Sequence, residues 1–180
     1  MNRKTFLAAA AAVFAFAFSP LTAPTAAAKA PAPAPSIVDV AIAVNSSGPF
    51  AGQFDTLIAA VLAADPAVVA RLTAKRQSTV FAPTDAAFEA VGLTPANVGT
   101  ALDEATLTQI LLYHVVNGRR DANDVLASSQ LRTLQGGFLK QSAGSLYDNL
   151  GREARIIVTD VPAANGIIHA IDAVVLPFAP

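Results

Sequence analysis

Apolar residues recur at helical spacing through the first half of the chain. From Phe54 to Leu62 they fall at positions i, i+3, i+4, i+7 and i+8, which is the pattern of an amphipathic helix. Ser36 and Asp39 match a capping box ahead of an earlier apolar run, and Asp65-Pro66 is an N-cap followed by proline at the first helical position. These patterns predict three consecutive helices.

The second half of the chain changes from helical to strand character. Thr94-Pro95 predicts another short helix, and Asp103 caps a helix whose apolar stripe reaches His114. Four strands separated by glycine turns are predicted at residues 131–134, 138–142, 155–161 and 167–176. The last strand is apolar on both faces, which predicts a central, covered position. Helices first and strands later indicate an α+β fold.

A strand-to-helix corner connects the two helical regions. The apolar run that begins at Thr79 stops at Pro83, which cannot continue a sheet ladder, and Thr84 and Asp85 then open a new helical pattern. We expect the carboxylate of Asp85 to cap the turn that it starts. The corner is therefore predicted to hold a polar hub.

The N-terminal residues have the layout of a secretory signal peptide. Arg3-Lys4 is followed by an apolar run at residues 6–18 and by an A-x-A site that ends at Ala28, with Ala30 as the second cleavage possibility. The apolar run is too short to remain as a membrane-spanning helix. We predict residues 1–28 as the signal peptide, no integral membrane span, and a periplasmic, cell-surface or extracellular location.

Composition narrows the class of the mature protein. Residues 29–35 alternate alanine with proline, which predicts an extended spacer or a tail left after processing, and residues 36–180 form the predicted domain. Removing residues 1–28 leaves 10 basic and 13 acidic residues without a basic run, which argues against nucleic acid as a partner. The chain contains no cysteine, so an exported domain needs a full hydrophobic core.

The polar residues do not follow a catalytic or metal-binding pattern. There is no cysteine nucleophile and no Gly-x-Ser-x-Gly motif, and the carboxylates are scattered. An Asp85–His114–Ser triad would need a serine at a strained turn, and the sequence shows none. His114 and His169 lack the further ligands of a metal site. We predict no enzyme, no cofactor and no metal, and a structural polar hub formed by Thr84, Asp85, His114 and His169, in which His114 hydrogen-bonds the corner.

Three stretches together resemble the motifs of fasciclin-like domains. They are residues 79–88 (TVFAPTDAAF), 113–116 (YHVV) and 165–177 (NGIIHAIDAVVLP), and the resemblance covers residues 36–177. It implies a β-wedge of antiparallel strands packed with an N-terminal helical bundle. It also implies an exported protein of cell adhesion or matrix interaction without an established enzymatic role.

The resemblance sets the functional expectation. We predict a monomeric, non-enzymatic adhesion or interaction domain that binds a cell-surface or matrix protein or a polysaccharide. The resemblance points to Tyr113, His114 and Asp85 as candidate binding residues, on a surface that includes the exposed helix after Asp85. It also implies that most motif residues are structural. The alternative is a carrier of an apolar small molecule, a pigment or a lipid, because some exported relatives bind pigments. An enzyme acting on cell-wall material ranks third.

Overall fold

A computed structural model describes residues 34–178 of the protein. The predicted signal peptide (1–28) and most of the predicted spacer (29–35) lie outside these residues. The helices are α1 Ile37–Ser46, α2 Asp55–Ala63, α3 Pro66–Thr73, α4 Asp85–Glu89, α5 Val98–Ala101, α6 Glu104–Tyr113 and α7 Ala122–Ala127. The strands are β1 Ser78–Pro83, β2 Val115–Asn117, β3 Gln130–Arg132, β4 Phe138–Ser142, β5 Ser145–Tyr147, β6 Glu153–Ala163 and β7 Gly166–Ile171.

Local capping signals fix the starts of the longer helices. The Ser36 N–H donates to the Asp39 carboxylate over 2.8 Å, and the Ser36 hydroxyl accepts from the Asp39 N–H, which completes the predicted capping box of α1. Asp65 caps α3 by accepting from the Ala67 N–H over 2.8 Å. Asp103 caps α6 in the same way. These predicted helix starts are confirmed.

Two details of the predicted helices were wrong. α5 begins at Val98, later than Thr94-Pro95 indicates, because the Asn97 side chain accepts from the Thr94 N–H over 2.7 Å and holds a turn there. Leu62 was placed on the apolar face of α2, but it is 76% exposed. The short elements β2, β5 and α7 were not predicted.

The strands form one mixed sheet of seven strands in the order β2-β1-β7-β6-β5-β4-β3. β1 and β7 pair in parallel, and the other neighbours pair antiparallel, so the expected antiparallel wedge contains one parallel pair. All six residues of β7 are buried, which confirms its central position. β7 ends at Ile171, earlier than predicted, because Asp172 bends the chain and accepts from the Arg155 N–H over 2.7 Å. The α+β fold is confirmed.

Two hydrophobic cores lie on opposite faces of β1, since neighbouring residues of a strand point to opposite sides. The helical core packs α1 to α6 against Val80 and Ala82 of β1 and against Ile168 and Ala170 of β7. The wedge core consists of Phe81, Tyr113, Val116, Val125, Leu131, Leu139, Leu146, Ala154, Ile171 and Val175.

Among residues 34–178, no single helix combines the length and the apolar composition needed to cross a membrane. α2 and α3 meet these two requirements only as a pair, and they are bent by 116° relative to each other.

Candidate functional site

The corner after β1 is held by a cap that reaches across the fold. Thr84 occupies the N-cap position of α4, and its side chain makes no capping bond. The Asp85 carboxylate accepts from the N–H groups of Asp55 and Thr56 over 3.2 and 2.8 Å, at the start of α2. The Asp85 N–H donates to the Gln53 carbonyl over 2.8 Å. The expectation that Asp85 caps its own turn is corrected by these contacts: Asp85 caps a different helix.

His114 lies at the end of α6 with both ring nitrogens engaged. Nδ1 lies 2.8 Å from the Ile110 carbonyl oxygen, and Nε2 accepts from the Val175 N–H over 3.2 Å. These partners require a neutral ring with its proton on Nδ1, and burial lowers the pKa of His114 to about 4. The expected hydrogen bond to the Thr84–Asp85 corner is replaced by these two contacts.

Tyr113, the residue before His114, belongs to the wedge core. Its side chain is fully buried, and its hydroxyl donates to the Phe138 carbonyl over 2.7 Å. Gly137 gives the ring room, since a Cβ there would lie 2.8 Å from the Tyr113 Cε2. Burial raises the pKa of the phenol. Neither candidate binding residue of the Tyr-His pair therefore presents its side chain at the surface.

His169 lies at the centre of β7 and is fully buried. Its Nδ1 accepts from the Asp160 N–H over 3.2 Å, and its Nε2 lies 3.0 Å from the Arg120 carbonyl oxygen. The ring stacks on Phe81 with a centroid distance of 5.6 Å. The predicted hub residues thus make hydrogen bonds at three separate places in the fold.

Asn165 is a polar anchor that the sequence did not reveal. Its side-chain oxygen accepts from the Ile37 N–H over 2.8 Å, and its amide donates to the Leu72 and Ala74 carbonyls, both over 2.7 Å. The buried side chain joins the start of α1 to the end of α3. No local pattern marks a side chain whose partners lie about 90 to 130 positions away.

An apolar cavity of about 100 Å³ opens between α1, α2 and the sheet. Ile42 and Leu62 lie on its wall and are 46% and 76% exposed, and His114 is the one polar residue of its lining. The cavity has space for a few methylene groups and offers almost no polar contact.

Within residues 34–178, no three histidine, aspartate or glutamate side chains are grouped closely enough to hold a metal ion.

The comparisons with known proteins agree with this geometry. A family model described as the fasciclin domain matches residues 52–177. The chain therefore belongs to the fasciclin domain family, which is known in adhesion-related proteins. Protein sll1483 of Synechocystis is 42% identical over 130 residues, which cover 69% of this chain and 67% of the relative. The cell surface glycolipoprotein MPB83 of Mycobacterium bovis is 36% identical over 101 residues, which cover 55% of this chain and 43% of the relative.

A solved structure supports the fold. The FAS1 domain pair of the insect cell adhesion molecule Fasciclin I matches with a TM-score of 0.51 and 22% identity over 64% of this chain. The match spans 42% of the insect chain, less than half of the domain pair.

Proposed function

We propose that the protein is an exported, non-enzymatic adhesion or interaction domain that binds a cell-surface or matrix protein or a polysaccharide. It acts in the periplasm, at the cell surface or outside the cell. Family membership supports the class, and the names of the relatives include a cell surface glycolipoprotein and a cell adhesion molecule.

The observation that carries the proposal is the burial of the reactive side chains. Tyr113, His114 and His169 are buried, and every polar atom of their side chains has a partner inside the domain. Side chains engaged in this way do not reach a substrate. We therefore assign recognition of the partner to the outer surface of the domain.

We assign positioning roles to the candidate binding residues. His114 holds the end of α6 against Val175, and Tyr113 holds it against Phe138. Asp85 fixes the start of α2 beside α4. One contact surface is the exposed side of α4, which includes Glu89.

The test uses the mature chain, residues 29–180, immobilised and exposed to envelope protein and polysaccharide fractions of its own source. We expect saturable retention. Glu89→Lys should reduce retention at an unchanged melting temperature, whereas His114→Ala should lower both. Absence of saturable binding by the folded domain, or turnover of a fraction component, would overturn the adhesion role. Loss of binding in His114→Ala without a change in melting temperature would overturn the positioning role.

The apolar cavity favours a second candidate, a carrier of an apolar small molecule. A dry cavity of roughly 150 Å³ holds a molecule of the size of benzene. A cavity of about 100 Å³ is smaller, so it suits the end of an acyl chain better than a pigment ring system. A lipid is therefore the preferred cargo of this second candidate.

A matched pair of leucine variants tests the carrier. Leu62→Ser changes the cavity rim, and Leu126→Ser changes another exposed leucine, 51% exposed, outside the cavity lining. Uptake of a fluorescent fatty acid should fall in Leu62→Ser alone. If the unchanged protein takes up no fatty acid, or if both variants behave alike, the carrier is excluded.

A further inference from the structure

Basic residues from two distant segments meet at the end of the sheet where β1 begins. Arg71 lies in the last turn of α3, and its Nη2 donates to the Asn117 Oδ1 over 3.2 Å. The Gly118 N–H donates to the Gln77 carbonyl over 3.0 Å. The segment after α3, which carries Lys75 and Arg76, is thereby fixed beside the segment after β2.

Arg119 completes this group from the second segment. Its Nη1 donates to the carbonyls of Ala163 and Gly166 over 3.2 and 2.8 Å, at the turn between β6 and β7. The residue is nevertheless exposed. Its guanidinium is therefore held in place by backbone while remaining accessible. We name Arg71, Lys75, Arg76 and Arg119 the basic end.

The charges of the basic end are not neutralised by neighbouring carboxylates. Among residues 34–178, the ion pairs within 4.0 Å are Arg152–Asp148 and Arg155–Glu153, and both lie elsewhere. The pKa of Arg71 is lowered by partial burial and by the charge of Arg76, so like charges face each other. An anion bound here would relieve that repulsion.

The acidic residues on the rest of the surface restrict which class of anion can bind at the basic end. Residues 34–178 contain nine lysines and arginines but 13 aspartates and glutamates, and the opposite end of β1 carries Asp55, Asp85 and Glu89. A long duplex gains its affinity from many phosphate contacts, and the four residues of the basic end supply few of them. A flexible chain with spaced carboxylates can contact the basic end alone.

A groove lies beside the basic end. Its volume is about 560 Å³, and Lys75, Ser36 and Thr73 are among its lining residues. Asp39 also lines the groove, and its carboxylate accepts from the N–H and hydroxyl of Ser36. The hydroxyl of Thr73 donates to the Val69 carbonyl. The groove thus leaves room for a bound chain beside the ammonium of Lys75.

We propose that the basic end binds an acidic polysaccharide, whose carboxylates pair with the guanidinium groups of Arg76 and Arg119 and with the ammonium of Lys75. Guanidinium groups match carboxylates in a two-pronged geometry, and such exposed pairs weaken as salt rises. This inference rests on the proposed adhesion function and adds a second contact surface, separate from the exposed side of α4, with its own class of partner.

The test measures binding of polygalacturonate to the mature chain. The double variant Lys75→Glu/Arg76→Glu reverses two exposed charges and should weaken binding by roughly tenfold or more at low salt. Lys140→Glu reverses an exposed charge on β4, outside the basic end, and should change binding by no more than about twofold. Both variants should keep the melting temperature of the unchanged protein, because surface substitutions of this kind alter stability little.

Dextran, duplex DNA and phosphatidylserine vesicles complete the experiment. Selective binding of polygalacturonate supports the inference. Equal or stronger binding of DNA or vesicles, or equal effects of both charge variants, overturns it. If the domain retains envelope material but does not bind polygalacturonate, the proposed role of the basic end is wrong and the adhesion function stands. If the domain retains no envelope fraction, the adhesion function itself is wrong.

Discussion

The helical core and the wedge core share β1 and β7 but differ in how completely they are closed. Every residue of the wedge core is at most 2% exposed. The helical core has members that are 8% exposed, and it adjoins the cavity of about 100 Å³. Burial is complete where short strands pack around Tyr113, and incomplete where α1 and α2 lie on the sheet. We therefore expect the wedge core to be the more rigid part of the domain and the helical core to adapt more easily.

Polar anchors tie both cores. On the helical side, Asn165, Asp85 and His114 bond backbone groups far away in the chain. On the wedge side, Tyr113 and His169 bond carbonyls 25 and 49 positions away. The two cores therefore differ in the completeness of their packing. Four predictions test this difference, in order of decreasing effect.

The largest expected effect comes from matched leucine truncations. Leu146 is fully buried in the wedge core, whereas Leu57 lines the cavity of the helical core. Leu→Ala substitutions lower the free energy of unfolding by about 3 to 5 kcal/mol, and less where neighbours can collapse into the space. In urea unfolding, we expect Leu146→Ala to lower the free energy of unfolding by an amount near the upper value. We expect the loss for Leu57→Ala to lie near the lower value. Equal losses of unfolding free energy would show that the difference in burial between the two cores does not affect stability.

Acid should weaken the helical side through His114. Its pKa is lowered from 6.5 to about 4 in the folded protein, so the unfolded state binds more protons between these values. Stability is fully present above pH 6.5 and falls by about 3 kcal/mol as the pH drops to the folded pKa. Unfolding free energies measured from pH 7 to 4 give the slope. His114→Gln should remove this slope, and a slope that persists unchanged in the variant would contradict the assignment.

Alkali should weaken the wedge side through Tyr113. Its pKa is raised above 10.0 by burial, so the folded state keeps the proton that the unfolded state loses. Stability from this group is therefore present below pH 10 and declines as the pH rises above it. Tyr113→Phe removes that decline and, by deleting the hydroxyl, lowers stability by about 1 kcal/mol at neutral pH. Spectroscopic titration of the phenols checks the shift, and ionisation of every tyrosine near pH 10 would contradict it.

The smallest effect concerns the cap that Asp85 supplies to α2. Asp85→Ala removes the acceptor of two N–H groups and should lower stability by about 1 kcal/mol. Asp85→Asn retains an oxygen acceptor and should lose less. The comparison is made by urea unfolding at pH 7. Equal stability of the alanine variant and the unchanged protein would rule out this tie between α2 and the corner.

The sequence predicted those features whose causes are local or periodic. The starts of α1 and α3 depend on side chains within three positions of the amides that they cap. The central position of β7 follows from its apolar residues on both faces. The partners of Asp85 and the anchoring role of Asn165 escaped prediction because the bonded groups lie about 30 to 130 positions away. Leu62 follows the helical period of α2, and only the packing of the neighbouring elements leaves it exposed.

The basic end escaped prediction for a related reason. The sequence contains no basic run in the mature chain, and for this reason nucleic acid was the one partner class that it argued against. Arg71 and Arg119 become neighbours only because β1 pairs with both β2 and β7. A cluster of charges that strand pairing brings together cannot be recognised from neighbouring positions in the sequence.

The parallel pairing of β1 with β7 also determines when the domain can finish folding. Residues 78–83 need residues 166–171 as partners, and the start of α1 is bonded to Asn165, 128 positions away. Contacts of such sequence separation form slowly. A chain that emerges N-terminus first from a ribosome lacks the centre of its sheet until residues 166–171 arrive. Until then, the edge of β1 that pairs with β7 stays without its partner.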